Sequence, residues 1–210
     1  MSGTLEYFVS ALVTLLVVVD PVGLAPTFLA VTQGWPGEAR RRVAVRATAI
    51  AGSVLLGTVF LGNWLLTALA ISLDAFRIAG GLLLFSIASE MVFGLRIERQ
   101  ARQAEQAMEE QVRNVAAFPL AIPLMAGPGA ITATVLLAGQ ADRHPAALAL
   151  LVLAVLVVMA ASLATFVTAV RFGRLLGATG NIVLSRLLGV LLAALSVQYV
   201  IDGIRAALQR

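Results

Sequence analysis

Apolar residues fall into six long blocks separated by short polar stretches. The first covers about Leu5–Val31 and is interrupted at Asp20-Pro21. After the turn Gly34-Trp35-Pro36-Gly37 and the basic run Arg40-Arg41-Arg42, the second covers about Val43–Thr67, and the third about Leu73–Leu95. Residues 96–114 form the one polar tract, with four Arg against four Glu, and read as a surface helix or ordered loop. The fourth block, about Val115–Ala138, is punctuated by Pro119, Pro123 and Gly127-Pro128-Gly129. A turn around Asp142-Arg143-His144-Pro145 leads into the fifth, about Ala146–Val170. Asn181 is expected to cap the sixth, which runs to about Arg205. A helix crossing hydrocarbon needs roughly 20 apolar residues, so each block predicts one transmembrane helix.

Composition agrees. Of 210 residues, 60% are hydrophobic before 18 glycines are counted and only 12% are charged, whereas a soluble domain carries about 25% charge. Mean hydropathy is +0.96. Six spans use most of the chain, which leaves no room for a soluble domain and predicts a single all-α membrane domain over 1–210. The first block is not expected to be a cleavable leader, because no positive region precedes it and no small-residue cleavage site follows. The absence of cysteine removes disulfides and thiolate chemistry. All 15 basic residues are arginine and lie scattered among apolar stretches, which argues for topology signals rather than nucleic-acid binding. Nine of them (Arg40, Arg41, Arg42, Arg96, Arg99, Arg102, Arg113, Arg171 and Arg174) fall in the three odd connections. Three (Arg143, Arg205, Arg210) fall on the other side, so the odd connections are expected in the cytoplasm and both termini outside.

The six spans divide into two triplets, 1–95 and 115–210, joined by the polar connection 96–114. Asp20-Pro21-Val22-Gly23 with Thr27 falls on Gly127-Pro128-Gly129-Ala130 with Thr134 at a shift of 107 residues. Arg77-x-x-Gly80 falls on Arg186-x-x-Gly189 at a shift of 109. A three-span unit present twice must be inverted, because an odd number of crossings flips the second copy. Inverted three-helix repeats with a binding site between them are a common plan of secondary transporters.

Both breaks suit that plan. Proline has no backbone N–H and clashes with the preceding turn, so helices 1 and 4 should each break near the midplane. Asp20 is a strong N-cap with Pro21 as first helical residue; Gly127-Pro128 makes the same start without a side chain. Two half-helix N-termini facing each other would suit a carboxylate. Asp20 would meet a substrate ammonium, a proton or a cation, so the inferred ligand is a small zwitterion. The expected binding residues are Asp20, Pro21, Gly23, Thr27, Gly127, Pro128, Gly129 and Thr132. Arg77 and Arg186, inside the third and sixth spans, either gate the path or snorkel to headgroups, and Glu90 and Asp202 are candidates for ion coupling. The lone His144 has no second His or Cys, so no metal site is expected, and no cofactor motif is present. Ala49, Ser53 and Gly57 form a small-residue ridge that serves either a homo-oligomer or packing within one subunit.

These motifs resemble the MarC family of bacterial inner-membrane proteins over nearly the whole chain. The likeness rests on Asp20-Pro21-Val22-Gly23 with Pro26 and Phe28, and on Phe76-Arg77-Ile78-Ala79-Gly80-Gly81. It continues through Phe118-Pro119-Leu120-Ala121-Ile122-Pro123, Ala126-Gly127-Pro128-Gly129-Ala130-Ile131-Thr132, Arg186-Leu187-Leu188-Gly189 and Asp202-Gly203. The family is grouped with neutral amino acid transporters and, more loosely, with the lysine-exporter superfamily, so the resemblance implies small neutral amino acids such as glycine or alanine as substrates. With no nucleotide-binding loop, transport would draw on an H+ or Na+ gradient or on the substrate's own. The chain carries no HExxH, GxSxG or cysteine nucleophile, so an enzyme is not expected. The alternatives are a channel or exporter for another small solute or drug, and a membrane subunit without a substrate of its own.

Overall fold

A computed structural model describes residues 2–109, 114–141 and 144–209, with side chains for all of these except 2, 107–109 and 170–179. Arg113, Arg143 and Arg210, three of the charges used to orient the chain, lie outside the described residues, as do the side chains of Arg171 and Arg174. The described chain is helical. Helix α1 (Ser2–Val19) is followed after Asp20 by α2 (Pro21–Val31), then by α3 (Gly37–Ala68) and α4 (Leu73–Phe93). The polar tract forms α5 (Leu95–Glu109). A segment of wide turns, Ala116–Met125, leads to α6 (Pro128–Ala141), and α7 runs from Pro145 to Leu208.

Local chemistry sets several of these boundaries. Ser72 starts α4 by accepting the Ala75 N–H at 3.1 Å. Gly94 ends it at φ +81°, a left-handed turn that glycine makes without strain and that redirects the chain into α5. In the wide-turn segment Phe118 and Ile122, each preceding a proline, adopt extended backbone instead of helix. Bonds there close over five residues, as in Ala126 N–H to the Ala121 carbonyl at 2.8 Å.

Five helical stretches are long and apolar enough to cross a membrane, and six if the bent pair Ala116–Met125 and Pro128–Ala141 is one span. The five are Gly3–Val31, Gly37–Ala68, Leu73–Phe93, Pro145–Ala169 and Gly180–Leu208. The last two belong to one helical run, so Asn181 lies inside a helix rather than at its cap, which corrects the sequence expectation. That run is not one straight rod. Phe166 stacks on Phe28 at 4.7 Å, while Tyr199 lies close to Thr14. Residues 14 and 28 are about 21 Å apart along a helix, whereas 33 residues of straight helix would span about 50 Å.

Packing follows the logic of a lipid solvent, in which close approach of small residues replaces the hydrophobic effect. Ala44, Ala47, Ala51 and Gly52 form the inner stripe of α3, and a side chain added at Gly52 would press on Met159. Phe60, Trp64, Phe93 and Leu187 stay exposed, where hydrocarbon would cover them. Ala49 and Ser53 of the predicted ridge are also exposed, so that ridge faces outward from the subunit. α4 packs antiparallel to the last span: Gly81 lies under Ser196 and Val200, and Gly189 under Met91.

Candidate functional site

The first interruption is a single residue. Asp20 has φ 52° and ψ 66°, a left-handed conformation that aspartate tolerates better than most side chains. Helical bonding continues on either side, with Asp20 N–H donating to the Leu16 carbonyl at 2.9 Å and Leu24 N–H to the Asp20 carbonyl at 3.1 Å. The Asp20 carboxylate turns back on its own helix and accepts the Gly23 N–H at 3.0 Å. That turn needs glycine at 23, because a Cβ there would collide with the carboxylate. At membrane depth, an interrupted helix must find other donors for the carbonyls it frees. Here the Val18 carbonyl accepts from the Arg96 guanidinium at 2.8 Å.

The second interruption lies between Met125 and Pro128, where the two helical segments meet at 54°. Gly127 fits because a Cβ would run into the Pro123 carbonyl oxygen. It also leaves the start of α6 without a side-chain cap. Gly129 brings this helix start against α1 and α4, where a Cβ would meet Ile87 and approach Val18 within 3.3 Å.

The two interruptions therefore meet. Between them is a cavity of about 200 Å³, lined by Val18 of α1, Gly127–Ala130 at the start of α6, and Arg96, Arg99, Gln100 and Gln103 of α5. Pro123 to Met125 and Ile87 complete the wall. This is smaller than the roughly 300–1,000 Å³ of drug-sized sites and suits a small solute. Among the described residues, Arg96 and Arg99 are the only charged side chains in the lining. Arg96 is 6% exposed, and burial pushes its guanidinium down from its ordinary value while the nearby Asp20 carboxylate pushes it back. Arg99 pairs with Glu90 at 2.9 Å.

Of the residues singled out in the sequence, the lining contains Gly127, Pro128 and Gly129. Asp20 is buried beside Arg96 but is not part of the lining. Pro21, Gly23 and Thr27 are buried along α2, and Thr132 is buried one turn into α6 with its methyl against Gly80. Glu90 reaches the edge of the site through Arg99. Arg77 and Asp202 lie elsewhere: Arg77 pairs with Asp74 at 3.4 Å, and Asp202 accepts from Gln198 at 2.8 Å. Arg186 is exposed on the last span.

The polar tract read as a surface helix or ordered loop does form a helix, α5, but its inward face goes unread in the sequence, where Arg96 counts only as a topology charge. The signal was present at helical spacing: Arg96, Gln100 and Ala104 recur every fourth residue, and all three are buried. Gln100 is 4% exposed, faces the cavity and makes no hydrogen bond among the described residues. The Gln103 side-chain oxygen is buried without a partner.

A helical, multi-pass membrane protein with a small cavity beside the bent pair Ala116–Met125 and Pro128–Ala141 is the class that fold and site define. The family model described as MarC family integral membrane protein matches residues 5–208. The chain belongs to that family. A UPF0056 membrane protein of Archaeoglobus fulgidus is 36% identical over 97% of this chain and 95% of its own length. A second, from Methanocaldococcus jannaschii, is 35% identical over 97% of this chain and 98% of its own. The UPF0056 membrane protein YhcE of Escherichia coli is 33% identical over 91% and 88%. No solved structure matches the chain.

Proposed function

We propose that this protein is a secondary transporter of small neutral amino acids, working by alternating access around the cavity between the Asp20-Pro21 and Gly127-Pro128 interruptions. The observation that carries this reading is a small cavity lined both by Val18, two residues before the Asp20 interruption, and by Gly127–Ala130 at the start of α6. Unwound backbone in a bilayer is tolerated only where protein or water satisfies it, so two such places converging on a cavity suit a ligand path.

An inverted repeat would suit this mechanism: Arg77-x-x-Gly80 falls on Arg186-x-x-Gly189 at a shift of 109, and the two spans that carry these motifs pack antiparallel. The arginine bias puts the polar tract in the cytoplasm and both termini outside, so that the cavity beside α5 faces the cytoplasm in this conformation. Coupling to H+ or Na+ would fall to the acidic groups nearest the site, Asp20 and Glu90.

The test is uptake of labelled alanine into proteoliposomes by the parent protein and by Asp20→Asn, with folding checked by thermal unfolding. Saturable uptake that the variant loses supports the reading. No uptake above protein-free liposomes overturns it, and unchanged uptake by the variant removes Asp20 from the mechanism.

A further inference from the structure

The charges around the cavity point to a sharper description of its ligand, one that rests on the transporter reading above. A site for a zwitterion needs a partner for each end. The carboxylate end is well provided for. α6 is 14 residues long, starts in the cavity wall without a side-chain cap, and directs its first free N–H groups there. Arg96 and Arg99 line the same cavity and are its only charges among the described residues. Arg96 spends donors on the Val18 carbonyl at 2.8 Å and on the Met91 sulfur at 3.3 Å, and its guanidinium has five N–H groups to give. An independent observation marks the same place. Gln100, with 4% of its surface exposed, lines the cavity with no hydrogen-bond partner among the described residues. Its amide opens onto the cavity, where a bound solute would meet its unspent donors and acceptor.

Among the described residues the lining holds no such provision for the ammonium end. The Asp20 carboxylate is absent from the lining and is occupied by the Gly23 N–H with Arg96 beside it. Glu90 is likewise outside the lining, with Oε1 accepting from Arg99 at 2.9 Å and Oε2 buried without a hydrogen-bond partner among the described residues. We infer that the cavity recognises its substrate through the carboxylate alone, at the α6 N-terminus, Arg96 and Gln100, and therefore also accepts small monocarboxylates that lack an amino group. The ammonium of an amino acid is tolerated in the cavity rather than read.

The experiment is isothermal titration of the full chain in nanodiscs with sodium propionate, alanine, ethylammonium chloride and sodium phosphate. Propionate is expected to bind within about tenfold of alanine, with ethylammonium giving no heat; a tenfold difference corresponds to one lost contact of ordinary strength. Gln100→Glu, which sets a carboxylate against the ligand, should weaken propionate by about tenfold or more, and Gln100→Asn, which keeps the amide, by less. An unchanged melting temperature without ligand shows that both variants fold. Alanine binding without propionate binding overturns the inference while leaving the transporter reading intact, and phosphate binding without propionate binding overturns the carboxylate assignment. Propionate binding by a protein that takes up no alanine in liposomes keeps the inference and removes the amino acid reading. Silence from all four ligands, or parent-like propionate affinity in Gln100→Glu, overturns the inference.

Discussion

Replacing Arg96 tests how the first interruption is held. The guanidinium satisfies the Val18 carbonyl and stands beside the buried Asp20, so Arg96→Gln removes both a charge-assisted hydrogen bond and a compensating charge. A hydrogen bond to a charged group contributes about 1.5–3 kcal/mol, and losing the positive charge near the buried Asp20 adds to that. A loss near 3 kcal/mol is expected. In a chain of this length 1 kcal/mol moves the midpoint by about 2–4 °C, so Arg96→Gln should melt about 6–12 °C lower. Asp20→Asn keeps an oxygen for the Gly23 N–H but carries no charge, so in that background losing Arg96 should cost less. The double-mutant cycle should return a coupling of about 1–3 kcal/mol. The assay is thermal unfolding in detergent, followed by circular dichroism. A parent-like midpoint for Arg96→Gln, or a cycle that closes to zero, would refute the reasoning and return Arg96 to the role of a topology charge.

Other predictions follow from the same geometry. Gly127→Ala places a methyl group against the Pro123 carbonyl and should cost about 1–3 kcal/mol with loss of uptake. Gly57→Ala meets nothing within 4 Å and should stabilise its helix by up to about 1 kcal/mol; thermal melts of the two variants compare them directly. Arg99→Gln breaks an ion pair whose arginine side chain is 52% exposed, so stability should change by less than about 1 kcal/mol while alanine uptake falls. Because the chain lacks cysteine, Gln33→Cys and Gln209→Cys each report one site. On intact cells an impermeant maleimide should label residue 209 and spare residue 33, and the reverse would invert the orientation.

Both interruptions were legible because their cause is local. Proline and glycine act through the backbone at their own positions, whatever packs around them, and so does the Asp20 cap. The blocks of apolar residues were equally legible, since a span is defined by length and composition. What was not legible depends on tertiary contact. Nothing near Asp20 in the sequence says that its charged neighbour lies 76 residues away on α5, or that the neighbour's donor goes to a carbonyl the break had freed. Charge balance in the tract, four Arg against four Glu, concealed that Arg96 turns inward. Asn181 misled for a different reason: a good capping residue marks a helix start only where the preceding backbone is not already helical, and here it is. The prolines at 119 and 123 foretold an irregular fourth span, but not the wide turns and extended residues that let it bend.

The central claim is that the cavity between the interruptions is where substrate sits. Gln103→Cys puts a thiol on its wall at a partly buried position, and Ser53→Cys puts one on the exposed face of α3 as a control. The rate at which a small, membrane-impermeant thiosulfonate modifies each thiol, measured with and without saturating alanine, reports occupancy directly. Alanine should slow modification at residue 103 severalfold, on the order of the tenfold set by one good contact, and leave residue 53 unchanged. Equal rates at residue 103 with and without alanine, in a protein that transports it, would place the substrate elsewhere and contradict the account.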